Sequence, residues 1–320
     1  VMNTIPSTID EVSVPYTVVG GMAPEHAPRW PVTALILNRS GRYHRPQLID
    51  QLVRQGFAEI LCIEHGLVSP DLESQCRTCP GLRFMILAGD CHIGTDINLG
   101  INEARQPFVL VLWSDLGLMP FLESSMQEAL ARRILCTVPL LRNQQGEVIP
   151  SLSMPAEHER NLRILPLMPS RDNLASLFPH DYVGLYHRER FIQSQGFDPG
   201  IANPFWQKMD FGYRAWLWGE AIRCLPEIRL QENVAPPSED TTPDADYARF
   251  YLKNLLPRFT GDQAQLPASR FLAFSRVSTA GWWRDLAYFR SVRAWVKKNA
   301  YRFRHDARFI AEVWQTKGGV

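Results

Sequence analysis

The run Phe108-Val109-Leu110-Val111-Leu112-Trp113 leaves few folds open to this chain. It is β-branched and large apolar throughout, and no polar residue interrupts it before Ser114. A strand with one wet face would alternate, so this run predicts a strand buried on both faces, the centre of a mostly parallel α/β sheet. It ends at Ser114-Asp115, with Gly117 close behind. One carboxylate is thereby delivered to the carboxyl end of a central strand, where open α/β sheets bind their ligands. Asp is also a common turn residue, so Asp115 gains meaning only from the segments around it.

Those segments follow an α/β order. Val32 to Leu37 predicts a buried strand ending in the loop Asn38-Arg39-Ser40-Gly41. Pro46 suits a helix start, Leu48, Ile49, Leu52 and Val53 recur at helical spacing, and Gly56 suits the stop. Glu59 to Ile63 predicts the next strand, ending at Glu64-His65-Gly66. Strand, helix and strand over so short a stretch make a right-handed parallel βαβ unit. Residues 67–82 read as a loop, 83–87 as a strand and 94–105 as a helix. After the central strand, 121–133 reads as a helix, 134–140 as a strand and 141–180 as an excursion with an irregular sheet. Strands over 181–186 and 221–225 and helices over 188–195 and 205–219 follow. Residues 1–30, with four prolines, read as an extension wrapped over the domain. Pro236-Pro237 marks a linker, and the residues beyond about 245 read as helices.

Composition excludes several classes. Hydrophobic residues at 45% and charged residues at 21% suit a globular chain. A formal net charge of +1 gives no overall attraction to nucleic acid or membrane, so either would need a local patch. No apolar run approaches a membrane span, and no signal peptide is expected at the start of the sequence. Six cysteines in 320 residues suggest reduced thiols in the cytoplasm rather than a disulfide framework.

The motifs, taken in order, resemble those of family 2-type glycosyltransferases with the GT-A fold. That family opens with a strand and a threonine-tyrosine-asparagine-arginine loop, matched here by Asn38-Arg39. Its second strand ends in two acids and Gly-Ser, matched by Glu64-His65-Gly66. An alanine-arginine-asparagine-x-glycine helix precedes its central strand, matched by Asp96-Ile97-Asn98-Leu99-Gly100. Its central strand ends in Asp-x-Asp, matched by Trp113-Ser114-Asp115. Its Gly-Phe-Asp-Glu and Glu-Asp-x-Asp-Leu segments are matched by Gly196-Phe197-Asp198-Pro199 and by Gln207-Lys208-Met209-Asp210-Phe211, with Arg214 following. The likeness covers about residues 32–232.

The resemblance implies a GT-A domain, Rossmann-like with flanking helices, over residues 31–235. An N-terminal extension (1–30) precedes it, and a linker with a helical C-terminal region (236–320) follows. It implies a nucleotide-sugar donor held by Asn38, Arg39, Glu64, Asn98, Ser114 and Asp115, with Asp115 as ligand to Mn²⁺ or Mg²⁺. It implies an acceptor, a glycan, lipid-linked sugar or protein, near Trp206 and Arg214. The outcome at the sugar carbon would be inversion. Two departures leave the activity open. Trp113 replaces the first acid of the metal motif, so Asp115 would hold a cation with little help, and Arg39 or Arg42 could supply part of the charge. Gln207 and Lys208 stand where the family has its catalytic acids, so Asp210 is the remaining candidate base. Asp210 also suits a first-turn helix charge or an i,i+4 partner of Arg214. A catalytically silent relative that binds a nucleotide sugar or scaffolds an active partner is therefore the competing expectation.

Other features admit two readings each. Trp206, Trp216 and Trp218 suit a core or a sugar-stacking face. Cys76, Cys79, Cys91 and His92 suit reduced loop thiols or a zinc site, while Cys62, Cys136 and Cys224 suit the core. In residues 270–317, Leu286, Phe289, Val292 and Val296 share one helical face, with Arg284, Arg290, Arg293, Lys297 and Lys298 mostly elsewhere. That pattern suits either packing on the domain or peripheral contact with an anionic membrane. No RNA-binding motif accompanies it, and no nucleic-acid partner is expected.

Overall fold

A computed structural model of the chain describes residues 14–22, 27–39, 44–66, 71–158 and 161–316. Arg42, Ser40, Gly41, Lys317 and residues 1–13 and 23–26 of the expected extension lie outside them. The strands are β1 (Tyr16–Gly20), β2 (Trp30–Leu37), β3 (Phe57–His65), β4 (Leu82–Leu87), β5 (Phe108–Trp113), β6 (Leu116–Leu118), β7 (Cys136–Arg142), β8 (Leu152–His158), β9 (Asn161–Leu167), β10 (Gly184–His187), β11 (Ile222–Glu232), β12 (Arg258–Thr260) and β13 (Gln263–Gln265). The helices are α1 (Arg45–Gln55), α2 (Leu72–Thr78), α3 (Ile93–Glu103), α4 (Glu123–Arg132), α5 (Arg188–Gln193), α6 (Pro204–Leu217), α7 (Ala245–Phe250), α8 (Phe271–Ser275), α9 (Trp282–Asn299) and α10 (Ile310–Thr316).

Nine strands form one sheet in the order β1-β4-β3-β2-β5-β10-β7-β11-β6. β4, β3, β2 and β5 run parallel, and β10 enters antiparallel between β5 and β7. The run that opened the sequence is β5, and all six of its residues are buried. Each Val or Leu it buries contributes about 1.5–3 kcal/mol over an exposed one. The register Leu35↔Val111 and Leu37↔Trp113 ends β2 and β5 side by side. The connection from β2 leads to β3 on one side, while β5 lies on the other. Such a reversal of strand order opens a crevice at the carboxyl ends.

The helices seat against this sheet for legible reasons. Gly56 closes α1 with φ 84°, and its N–H bonds to Val53 O at 3.0 Å. Gly100 lets α3 lie close on β2, because a Cβ there would come within 2.5 Å of Leu35 Cδ1. The expected loop 67–82 instead contains α2, whose Leu72 and Cys76 are buried. The N-terminal extension supplies β1, which adds antiparallel to β4 in the register Tyr16↔Leu87. The excursion at 141–180 holds the antiparallel pair β8–β9, in the register Leu152↔Leu167.

The C-terminal helices share a core with the GT-A-like part. Met209, Tyr213 and Leu217 of α6 cluster with Phe250, Leu252, Phe274, Phe289, Val292 and Val296. Phe289, Val292 and Val296 put the apolar face of α9 inside the protein, and Leu286 is half-buried. The packing alternative thus accounts for that face. Trp282 and Trp283, at the start of α9, remain 54% and 79% exposed, flanked in sequence by exposed Arg276 and Arg284. No helix among the described residues is long and apolar enough to cross a membrane.

Candidate functional site

A cleft of about 480 Å³ lies at the carboxyl ends of β2, β3 and β5. Asn38 and Arg39 enter it directly after β2, His65 as the last residue of β3, and Trp113 as the last of β5. Asp96 comes from the first turn of α3. Asp181 and Tyr182, ahead of β10, form another wall, and Pro237, Ser238, Glu239 and Asp240 line it as well. The segment expected to be a plain linker therefore contributes to the cleft.

Arg39 is the hub of this arrangement. Its Nε donates to Asp115 Oδ2 at 2.9 Å, its Nη2 to Asp115 Oδ1 at 3.2 Å and its Nη1 to Asp181 Oδ2 at 2.5 Å. The guanidinium lies 4.4 Å from the centre of the Trp113 ring. Trp113 Nε1 donates to the Asp181 carbonyl at 2.9 Å. Ser114 fixes the loop, since its Oγ accepts from Arg39 N at 3.0 Å and donates to Arg39 O at 2.8 Å. Asp181 and Tyr182 both have positive φ, 47° and 65°. Two such residues in succession without glycine are uncommon, and such strain gathers at functional sites.

Charge is crowded here. Burial pushes the Asp181 carboxyl above its ordinary value, with Arg39 pulling the other way. Burial, then the charges of Asp181 and Asp115, push Glu232 at the end of β11 up to about 7. A third negative charge is thus taken up as a proton near neutrality.

The expected donor residues divide. Asn38 and Arg39 line the cleft, and Ser114 and Asp115 stand behind Arg39, each 1% exposed. Glu64 does not reach the cleft: it is 1% exposed and ion-paired with buried Arg45. The reason is strand parity, because successive β3 side chains face opposite sides and His65 takes the cleft. Asn98 braces the turn before α6 instead, donating to Phe197 O at 2.7 Å and accepting from Phe197 N at 2.9 Å.

The expected catalytic and acceptor residues lie inside the protein. Asp210 is 0% exposed and accepts from Asn254 Nδ2 at 2.7 Å, with Lys253 Nζ at 2.9 Å and Arg214 Nη2 at 3.4 Å. A carboxylate so enclosed has no access to an acceptor hydroxyl. Arg214 is 1% exposed and bonds the Gly196 carbonyl. Trp206 packs between Phe205, Tyr247 and Phe250 and donates to Thr242 O at 3.0 Å. Of the two substituted family acids, Gln207 bonds Tyr182, Asp198 and Ile201, and Lys208 pairs with Glu239 on the cleft wall. The reading of the sequence missed Asp181, Glu239 and Asp240. Asp181 was expected to open a strand over 181–186, but it lies in a helical turn over 180–182 and the strand begins at Gly184; nothing local placed 237–240 opposite β2.

The fit of Asp115 to a divalent cation is poor as these residues stand. Both carboxylate oxygens already accept from Arg39, and the neighbouring family acid is the indole of Trp113. The alternative zinc set, Cys76, Cys79, Cys91 and His92, is not gathered among the described residues, whose ligand atoms cluster at His65, Cys91 and Asp96. Cys91 is instead joined to His65 and Asp96.

No family model matches the sequence, and neither does any curated protein. Solved structures match its fold. The crystal structure of GalNAc-T7 with UDP, GalNAc and Mn²⁺ aligns at a TM-score of 0.57 and 13% identity, over 90% of this chain and 57% of that one. The chain thus spans a little over half the length of that neighbour. The structure of S. aureus TarS 1-349 in complex with UDP-GlcNAc aligns at 0.50 and 14% identity, over 89% and 92%. The fold is GT-A-like, as in these glycosyltransferases.

Proposed function

We propose that this chain transfers a sugar from a nucleotide-sugar donor bound in the cleft at the ends of β2, β3 and β5. The observation that carries this reading is the convergence of Asn38, Arg39, His65, Asp96 and Trp113 at the sheet's switch point in a GT-A-like fold. The two structural neighbours were solved with UDP or a UDP-sugar. In this reading Asn38 and His65 contact the nucleoside, and Arg39 turns toward the diphosphate as it leaves. Asp181 takes the acceptor proton while the acceptor oxygen bonds the sugar carbon and the bond to the diphosphate breaks. Burial raises the Asp181 carboxyl above its ordinary value, against the pull of Arg39, which favours its taking a proton. No step requires a metal at Asp115.

The acceptor in this proposal is a glycan or a lipid-linked sugar, met at an anionic membrane surface. Exposed Trp282 and Trp283, flanked in sequence by Arg276 and Arg284, support that placement. The six free cysteines support a reducing, cytoplasmic setting.

One observation favours a second reading, binding without transfer: the family's acidic positions are Gln207 and Lys208, and Asp210 is enclosed. A panel of nucleoside diphosphates and their sugars, read by thermal shift with and without chelator, tests the site. Hydrolysis or transfer assays on whichever donor binds then separate enzyme from binder. A flat panel would remove both readings.

A further inference from the structure

Three ligand atoms of different chemistry meet beside the cleft, two of them from residues that line it. His65 closes β3, Cys91 lies in the turn before α3, and Asp96 projects from the first turn of α3. His65 Nε2 is 2.9 Å from Asp96 Oδ2, and Cys91 Sγ donates to Asp96 Oδ1 at 2.8 Å. The nitrogen, sulfur and oxygen all lie within 4.8 Å of one another. His65 Nδ1 faces the Gly89 carbonyl at 3.4 Å, which leaves Nε2 turned toward the other two groups.

We propose that His65, Cys91 and Asp96 bind a borderline-soft divalent transition-metal ion of the Zn²⁺ class. The donor set selects that class. Mg²⁺ and Ca²⁺ take oxygen ligands, whereas imidazole with thiolate is a zinc-type pair. Bonds of roughly 2.0 Å to nitrogen and oxygen and 2.3 Å to sulfur place tetrahedral ligand atoms about 3.5 Å apart. Two of the present separations are hydrogen-bond lengths and all three lie within 4.8 Å, so an ion replacing the bridging protons draws the nitrogen and the sulfur together by about 1 Å at most. Three protein ligands leave a fourth position, the pattern of an open rather than a closed zinc site. His65 and Asp96 both line the cleft, so that position faces it. The thiol proton leaves for solvent as the metal–sulfur bond forms, so affinity rises with pH. This site differs from the zinc alternative that sequence spacing offered, sharing only Cys91 with it. It shares His65 and Asp96 with the donor cleft, but the ion binds without a nucleotide, so the two readings are measured separately.

The test uses the full chain, stripped of metal with chelator and free of nucleotide. Titration with Zn²⁺ by calorimetry, and with Co²⁺ by absorbance, should give one ion per chain, and Co²⁺ should produce a thiolate charge-transfer band. Cys91→Ser should abolish that band and weaken Zn²⁺ at least tenfold, and His65→Gln should weaken Zn²⁺ similarly. Cys79→Ser should leave both unchanged, and a hundredfold excess of Mg²⁺ should not displace the ion. Metal-free thermal melts of each variant establish that it folds. Any of three results overturns the proposal: no stoichiometric ion, binding indifferent to Cys91 and His65, or binding lost in Cys79→Ser. Failure of the nucleotide panel leaves this result untouched, and the reverse also holds.

Discussion

Arg39 grips Asp115 with two parallel hydrogen bonds, at 2.9 and 3.2 Å, and fills the place where a cation would meet that carboxylate. Its remaining terminal nitrogen reaches Asp181, so one guanidinium ties the end of β2 to the end of β5 and to the strained turn before β10. A planar fork suits this double duty, and a lysine does not.

Arg39→Ala should therefore lower stability as well as donor binding. It removes the guanidinium shared by Asp115, 1% exposed, and Asp181. Breaking such a pair costs about 3 kcal/mol. Urea unfolding followed by fluorescence measures it, and an unchanged midpoint would refute the bridging role. Arg39→Lys should recover only part of the loss.

The two aspartates offered as bases should behave oppositely. Asp181→Asn should cut transfer by about a hundred- to ten-thousandfold while leaving the donor's thermal shift in place. Asp210→Asn should alter stability and leave the cleft's chemistry alone, since Asp210 faces Lys253, Asn254 and Arg214 inside the protein. Transfer lost in Asp210→Asn at full donor binding and stability would reverse the assignment.

Nucleotide affinity should fall as pH rises through neutrality. Glu232 is held up to about 7 by burial and by the charges of Asp181 and Asp115. Below that value it is neutral, and above it an added negative charge repels a diphosphate. The same raised value means that its contribution to stability is fully present below its unfolded value, about 4.3. That contribution is lost as pH rises through the folded value. Calorimetry from pH 6 to 8 should show the inflection in the parent protein and its loss in Glu232→Gln.

Asp198 carries the opposite sign. Burial alone would raise its carboxyl, but Lys253 at 2.5 Å and the Arg249 fork, with contacts of 3.0 Å, outweigh it and hold it well below the carboxylate range. Its contribution is present above the unfolded value of about 3.9 and is lost as pH falls below it. Acid unfolding monitored by circular dichroism should begin at higher pH in Lys253→Met. That variant should also lose about 3–5 kcal/mol at neutral pH, because it leaves two buried carboxylates short of a cation.

If Trp282 and Trp283 touch a membrane, the purified protein should co-sediment with anionic vesicles and release as salt rises. The double variant Trp282→Ser/Trp283→Ser should release more easily and melt unchanged, because both rings are exposed. Equal sedimentation by parent and variant would end that proposal.

The sequence determined the scaffold. Largely apolar runs over β2, β3 and β5, unbroken in β5, with helix periods and stops between them, admit one kind of sheet, because such runs can be buried only between two layers. That placed Asn38, Arg39 and Asp115 near a ligand crevice. Tertiary structure decided which side chains reach it. Glu64 and His65 are adjacent in sequence, and only the pleat sends one to Arg45 and the other to the cleft. Asp210 read as the last acid of a degenerate motif. The C-terminal helices brought Lys253 and Asn254 onto it, a contact across more than forty residues that no local pattern encodes. Asp181 entered the cleft the same way, from a segment read as strand, and Glu239 and Asp240 did so from a linker whose prolines signalled a bend but not a destination. Burial periodicity is local and leaves its mark in sequence, whereas convergence on a site depends on distances between segments that only packing sets.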